Sequence, residues 1–455
     1  MSIQKEKIPV TAIFDIGKTN KKFFLFDSNF QVLKVLSQTF TELSDDEGFP
    51  CDDIQGITHW MKDTLQEVIQ GEEYDVQALN FSAYGASFVH LDEAGNLVTP
   101  LYNYLKAFPE DLWEQFYAQI GGKLKFELDT SSPALGMLNS GLQLYWLKYR
   151  KPELFTKIKY TLHLPQYCSY VFSKKLYSEY TSIGCHTGLW DFEQKDYHSW
   201  VKAEEIDRLF PPVVSADTSF EGEITPKIIQ IAPGVHDSSA ALVPYLTSSS
   251  EPFMVISTGT WSICMNPFED SPLTKYELER DCLHFLGLGG RKVKASRLFL
   301  GEEFKYQIQK LDTYFHKSSD YHVQIVFDET LYTEISQKHA FVFPKKYLQQ
   351  SRFGFSESIP EVSLSEFKNY EAAFHQLLYE LTLLQIESLK LVAKNSLIRK
   401  LYLDGGFTKN QVFVQMLKQL LPDFIIDTPD FPQGSALGAA QLIPDSSKKY
   451  LNSIN

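Results

Sequence analysis

The stretch that most constrains this chain is Val10–Asp27, VTAIFDIGKTNKKFFLFD. The run Thr11–Phe14 predicts a buried strand. Asp15 and Gly17 follow it, and Lys18-Thr19-Asn20 lead towards a second apolar run, Phe23–Phe26. Two apolar runs around a short polar connection predict a hairpin, with a connection longer than the tightest turns. Such a turn suits a phosphate: Gly17 admits close backbone approach, Thr19 and Asn20 offer donors, and Asp15 has the chemistry to hold a metal. An ordinary hairpin with a polar tip accounts for this stretch equally well when it is taken alone. The rhythm returns at Phe253–Pro267 (FMVISTGTWSICMNP), and a third time at Asn80–Asp92, with Gly85 at the turn. Strand–turn–strand units opening two halves of a chain predict a duplicated fold with a phosphate loop in each half.

At 455 residues the chain exceeds one typical core, so two domains are expected. The Ser-rich stretch 247–252 (TSSSEP) reads as the linker, giving an N-terminal domain over 1–246 and a C-terminal domain over 253–455. A net charge of −14 argues against a nucleic-acid surface, which demands clustered Lys and Arg. It leaves room for an anionic small molecule held by a local loop and a metal. Cys51, Cys168, Cys185, Cys264 and Cys282 are odd in number, widely spaced and without a CxxC, so they read as reduced, mostly buried thiols. Asp15 interrupts the N-terminus before a signal-peptide core can form, and no run approaches a membrane span. The expectation is a soluble, cytoplasmic protein without membrane partners.

Helices are predicted over Ile54–Ile69, Leu138–Arg150, Ala372–Lys394, Gln411–Leu421 and Gly434–Leu442, the fourth ended by Pro422 and Ala372–Lys394 as a long amphipathic helix. Strands are predicted at Val76–Phe81, Tyr160–Leu164, Lys400–Leu403 and Phe424–Ile426. Ser178–Trp200 reads as surface-crossing loop, and Asp312–Lys368 as an insertion with short elements of its own. In Ile231–Leu246 (IAPGVHDSSAALVPYL) a glycine turn precedes His236-Asp237 and a small-residue helix start, which sets Asp237 near a helix N-terminus. Taken alone, that is the position of a capping carboxylate with no chemistry. Further on, Asp404-Gly405-Gly406-Phe407 turns a strand into a helix, the arrangement that brings backbone amides up to a nucleotide.

In order, DIGKTN, GVHDSSA, STGTW, DGGFTKN and GSALGAA resemble the motifs of the FGGY family of carbohydrate kinases across nearly the whole chain. Within that family the chain is most similar to rhamnulokinases and fuculokinases, through Tyr84-Gly85, Phe88–Asp92 and Glu179-Tyr180-Thr181-Ser182. The resemblance implies an α/β, two-domain actin-like (ribonuclease H-like) ATPase fold with a central cleft. It implies ATP and Mg²⁺ as cofactors and a small-molecule sugar as substrate. By this resemblance Asp15 would hold Mg²⁺, and Gly17, Lys18, Thr19, Asn20 and Lys21 would form the first phosphate loop. Thr258, Gly259 and Thr260 would form the second, and Gly405 and Gly406, with Asn410, would flank the adenosine. Asp237 would accept the sugar hydroxyl's proton, while His236 and Gly85 would touch the sugar. Three positions depart from the family pattern. Ser87 stands where rhamnulokinases carry an Asp, Tyr104-Leu105-Lys106 where many members have Tyr-Arg-Asp, and Lys18 where many have a small residue. The first two bear on which polyol is bound.

Several residues keep two readings. Lys18 either reaches the terminal phosphates or is a solvated charge at a hairpin tip. His236 either bonds a sugar hydroxyl or is a satisfied core histidine. The GSALGAA helix reads as close packing without direct chemistry. The expected activity is ATP-dependent phosphorylation of a ketose such as L-rhamnulose or L-fuculose, with a pentulose or another polyol as the alternative. A catalytically weak sugar- and nucleotide-binding regulator is the reading from another class. The oligomeric state stays open, a homodimer included.

Overall fold

The computed structural model describes residues 6–338, 341–348, 363–394, 397–429 and 433–443. Parts of two expected segments, 349–362 of the Asp312–Lys368 insertion and 444–455 of the C-terminal domain, lie outside these residues. The chain forms two compact units, which interleave along the sequence. The first holds residues 1–249, takes back His284–Arg291, and takes back the chain again from Phe431. The second holds Ser250–Leu283 and Lys292–Asp430. A contiguous 253–455 domain therefore does not describe the packing. His284–Arg291 and the helix Gly434–Gln441 belong with the first unit.

The first unit is built on a seven-stranded sheet. β1 (Ile8–Ile16) and β2 (Lys21–Phe26) form the expected antiparallel hairpin, and β3 (Val32–Gln38) pairs with β2. After helix α1 (Ile54–Gln70), β4 (Tyr74–Ala83) lies parallel to β1. The runs TAIF and FFLF are continuous because both faces of this sheet are covered. Phe14 and Phe23 pack with Met61 and Leu65 of α1 on one face. Ile13 and Phe24 pack with Ala436, Ala439 and Ala440 of the C-terminal helix on the other. Each such fully buried phenylalanine stabilises the fold by roughly 1.5–3 kcal/mol.

The third strand–turn–strand repeat is not a hairpin. β5 (Phe88–Leu91) leaves β4 and pairs antiparallel with β6 (Tyr160–His163), which runs into helix α2 (Leu164–Ser173). The sheet is instead completed by β7 (Phe220–Ile224), β8 (Lys227–Ile231) and β9 (Val235–His236), the last pairing with Ser82 and Ala83 of β4. Ser178–Trp200 also departs from expectation: Glu179, Thr181, Cys185, Leu189 and Trp200 are buried. Its lack of periodicity reflects short turns packed in the interior, where the Thr181 hydroxyl donates to Glu179 and Trp200 Nε1 donates to the Gly188 carbonyl at 2.8 Å.

In the second unit, β10 (Phe253–Thr258) and β11 (Ser262–Asn266) form the second predicted hairpin. β12 (Lys292–Leu298) pairs with β11, and β13 (Lys400–Gly405) runs parallel to β10, with β14 (Ile425–Asp427) beyond it. Helices α3 (Leu300–Phe315), α4 (Tyr370–Ala393) and α5 (Gln411–Leu420) surround this sheet. α4 is not amphipathic. Leu377 to Thr382 are consecutive and all buried, so every side of the helix is covered. The predicted linker is partly helical, because Thr247 and Ser248 end the helix Val243–Ser248.

Candidate active site

In the first unit the placement of the candidate residues follows from strand direction. β1, β4 and β9 are parallel, so their carboxyl ends come to one edge of the sheet, where ligands bind in open α/β sheets. Asp15 sits near the end of β1, paired with Ser82 of β4. Tyr84-Gly85 follow β4, and Asp237 directly follows β9. Residues more than two hundred positions apart are thereby neighbours.

Asp237 opens a short helix, Asp237–Ala240. Its Oδ1 is held by the Ser238 backbone N–H at 2.6 Å, by the Ser238 hydroxyl at 3.2 Å, and by His236 Nε2 at 3.2 Å. No partner among the described residues engages its Oδ2. His236 is buried, with Nε2 also 3.0 Å from Cys185 Sγ and Nδ1 3.4 Å from the Ser239 hydroxyl. Burial lowers the imidazole's pKa, and the charge of Asp237 only partly opposes this, so the ring is neutral near pH 7. A proton on Nε2 serves both the carboxylate and the sulfur. The His236 backbone N–H donates to Thr181 Oγ1 at 3.0 Å, and that hydroxyl donates to the buried Glu179 carboxylate.

Asp15 is half-buried, and the Ser435 hydroxyl donates to its Oδ1 at 3.2 Å. The GSALGAA helix therefore packs closely, as expected, and also contributes a polar contact to the site. Burial, then the negative charge of Asp237, push the Asp15 carboxyl up to about 6, while Ser435 and Lys22 act in the opposite direction. A carboxyl raised by burial beside a second carboxylate is a setting that a divalent cation relieves. Magnesium is commonly held by one or two carboxylates plus the phosphates of its substrate, so Asp15 fits that role. Among the described residues no cluster of three or more His, Cys, Asp or Glu could hold an ion without such help.

The turn after β1 is closed by the Gly17 N–H donating to the Asn20 carbonyl at 3.0 Å, with Thr19 and Asn20 exposed at its tip. Lys18 is partly exposed and paired with two acids. Its ammonium is 2.6 Å from Asp52 Oδ2 and 3.4 Å from Glu42. Lys21 is buried and turned inward, donating to the Lys18 carbonyl at 2.9 Å and to Asp52 Oδ1 at 3.0 Å. Asp52, also bonded at 2.6 Å by the Tyr84 hydroxyl, thus pins the loop. Its carboxyl, although burial acts to raise it, is drawn below the usual range by Lys18, Tyr84 and Lys21. Tyr104 packs edge-on against Tyr84 with 6.3 Å between rings, and its phenol feels Lys18, Asp237 and Asp52. Ser87 is buried beside Tyr84. A side chain at Gly85 would lie 2.7 Å from Cys185 Sγ and 3.1 Å from His236 Nε2.

The second unit repeats the strand-end logic. β10 and β13 are parallel, with Thr258 beside Gly405, and their carboxyl ends open into a cavity of about 490 Å³. Gly259, Thr260, Gly406 and Asn410 line it, joined by Glu302, Phe304 and Lys305 of α3. Thr258 and Gly405 stand outside the lining. The Thr258 hydroxyl donates to the Asp404 carbonyl and accepts the Phe407 N–H at 3.1 Å, which fixes the Gly-Gly turn. Gly405 has φ +85°, and a Cβ there would lie 1.8 Å from the Thr258 carbonyl oxygen, so only glycine fits. Asn410 caps α5 by accepting the Phe413 N–H at 3.1 Å.

Asp52, Cys185 and the α3 residues escaped the sequence reading, because strand pairing and helix packing bring them in. Ser238 and Ser435 lie in GVHDSSA and GSALGAA, where the sequence pointed to a helix start and to close packing.

Comparison with known proteins identifies the family and the fold. Residues 10–240 match the N-terminal domain of the FGGY family of carbohydrate kinases, and residues 250–451 match the carbohydrate kinase FGGY C-terminal domain. A rhamnulokinase of Oceanobacillus iheyensis is 25% identical over 232 residues, covering 46% of this chain and 47% of that protein. A rhamnulokinase of Halalkalibacterium halodurans is 23% identical over 265 residues, covering 55% and 54%. The aligned part of the chain thus spans about half the length of these curated relatives. Among solved structures, a carbohydrate kinase from Novosphingobium aromaticivorans superposes with a TM-score of 0.79 at 24% identity, over 95% of this chain and 93% of that one. A ligand-bound xylulose kinase from Lactobacillus acidophilus gives 0.75 at 14% identity, over 96% and 89%. With both domain matches in sequence order and the two-domain actin-like fold shared with these kinases, the chain belongs to the FGGY family of carbohydrate kinases.

Proposed function

We propose that this protein transfers a phosphoryl group from ATP to a hydroxyl of a ketose, with L-rhamnulose or L-fuculose as the leading substrates. The observation that carries the reading is the asymmetry of Asp237: one oxygen takes three donors, and the other is left for a hydroxyl. In the reaction the sugar oxygen forms a bond to the terminal phosphorus as the bond to the ADP oxygen breaks. Asp237 Oδ2 accepts the hydroxyl proton, and the three donors on Oδ1 keep the carboxylate fixed as it does so. Asp15 holds the metal ion; when bound there, Mg²⁺ supplies charge neutralisation to the phosphates. Gly17 and the loop tip at Thr19 and Asn20 offer amides and hydroxyls to phosphate, and Gly259, Thr260, Gly406 and Asn410 hold the nucleotide. Gly85, Ser87 and His236 border the sugar.

A pentulose or another polyol is the second reading, favoured by one observation. Lys106, in the place of a family Asp, is bound to Asp45 and Glu47 at 2.6 and 2.7 Å, so this position offers a sugar neither a carboxylate nor a free ammonium. The five cysteines, all buried and outside any disulfide, support a cytoplasmic setting. An ADP-release assay with a panel of ketoses, pentuloses and polyols tests the proposal. Turnover with one of them is expected. ATP binding without stimulation by any sugar overturns it in favour of a regulator.

A further inference from the structure

Ala86 stands in the left-handed region at φ +59°, where a side chain crowds the backbone and glycine is the usual occupant. It lies between Gly85 and Ser87, and it is buried. The turn is tied down on both sides of it. The Tyr84 N–H donates to the Ile16 carbonyl at 3.1 Å, and the Leu164 N–H donates to the Ser87 carbonyl at 3.2 Å. At the centre, the Ala86 carbonyl accepts from Gln143 Nε2 at 2.9 Å.

Gln143 belongs to none of the motifs above. It lies in the first turn of the helix Gly141–Arg150, within the run Gly141–Leu147, every residue of which is buried. A buried amide needs partners, and this one spends its N–H groups on backbone. Its second bond reaches the Met137 carbonyl at 2.8 Å. Close packing seats the helix start, because the Gly141 N–H donates to the Thr187 carbonyl at 2.8 Å. A Cβ at Gly141 would lie 2.7 Å from Leu189 Cδ2. The short turn Gly136–Leu138 is fixed to the same stretch. Asn139 Nδ2 donates to the His186 carbonyl at 2.8 Å, and His186 Nδ1 donates to the Leu138 carbonyl at 3.1 Å. Gln143 is thus a firmly seated donor between two turns. One of them holds its middle residue in a conformation that residue disfavours, and such strain persists only where the surroundings enforce it.

We propose that Gln143 is a positioning residue for the substrate: its amide keeps Ala86 left-handed and so sets where Gly85 and Ser87 stand. Without the amide, Ala86 relaxes to a negative φ and carries both neighbours away from the substrate. The inference rests on the kinase reading above, in which Gly85 and Ser87 border the sugar.

Steady-state ADP release by the full chain tests it, with the sugar that gives turnover in the panel. Gln143→Met keeps the side chain's length and removes both donors. It is expected to raise the sugar KM about tenfold, while kcat and the KM for ATP stay within about twofold. Ala86→Gly removes the conformational penalty, and adding it to Gln143→Met is expected to recover part of the loss. Gln143→Asn withdraws the amide by one methylene and serves if the methionine variant does not fold. It is expected to raise the sugar KM about threefold. Three results overturn the proposal and leave the kinase reading standing: a sugar KM equal to wild type in the folded variants, a KM for ATP that rises in step with it, or strictly additive effects of Gln143→Met and Ala86→Gly. A wild-type chain that turns over no sugar of the panel overturns both.

Discussion

His236 Nε2 lies 3.2 Å from Asp237 Oδ1, so the residue before the proposed base helps to orient it. The imidazole is itself held by Cys185 and Ser239, and its backbone by Thr181. A carboxylate fixed on one oxygen presents the other in a constant direction, which is what proton acceptance from a bound hydroxyl requires.

Replacing Asp237 by Asn keeps the shape and removes the proton acceptor. The Asp237→Asn variant is expected to lower kcat by roughly 10²–10⁴-fold, about 3–5 kcal/mol of barrier, with sugar KM changed far less. Steady-state ADP release measures both constants. Near-normal kcat in this variant would remove Asp237 from the mechanism.

Asp52 carries the loop's internal pairing, because Lys21 is buried and Lys18 is only partly exposed. Asp52→Ala strands the Lys21 ammonium and is expected to cost about 3–5 kcal/mol of stability. Lys18→Met leaves Asp52 paired with Lys21 and Tyr84, and is expected to cost under about 1 kcal/mol. Urea unfolding of the two variants separates them. If Lys18→Met also raises the KM for ATP, the lysine exchanges Asp52 for phosphate during the reaction. An unchanged value leaves it a loop staple.

Glu179 titrates in a useful range. Burial pushes its carboxyl up to about 7, against the opposing bonds from Thr181 and Ser182. The folded state then binds more protons than the unfolded state between the ordinary glutamate range and about 7, so this group's contribution to stability is lost as pH rises through that window. Glu179→Gln removes the titration. Relative to wild type, the variant is expected to gain about 3 kcal/mol of stability between pH 4 and pH 8. Denaturation curves at the two pH values check this, and a pH-independent difference would contradict it.

Gly85 has no room for a side chain because of Cys185 and His236. Gly85→Ala is expected to displace His236 and lower kcat/KM for the sugar at least tenfold, roughly 1.4 kcal/mol. Adding Cys185→Ala removes the tighter of the two contacts and is expected to restore part of the loss. A double-mutant cycle reads the coupling, and strictly additive effects would show that the thiol is not the obstacle.

The two hairpins and their polar turns were legible in the sequence because their strands are buried on both faces, which writes continuous apolar runs. Asp15, Asp237 and the Gly405-Gly406 turn were legible because an acid or a glycine interrupts such a run where a strand ends. The third apparent hairpin misled for the same reason. Phe88–Leu91 has a strand's composition, but composition carries no record of its partner, and the partner is Tyr160–His163. Helix Tyr370–Ala393 was read as amphipathic from its leucine spacing, yet Glu380 and Gln385 are also buried, satisfied by contacts from distant segments.

The sequence by itself determined where strands end and which acids and glycines stand at those ends, since these depend on neighbours a few residues away. Only the tertiary structure decided which ends share an edge, that Asp52 ties down the first loop, that the helix Gly434–Gln441 returns to the first unit, and that His322 lines the cavity of the second unit. Those outcomes depend on pairings across tens to hundreds of residues, and no local pattern of apolar and polar side chains encodes them.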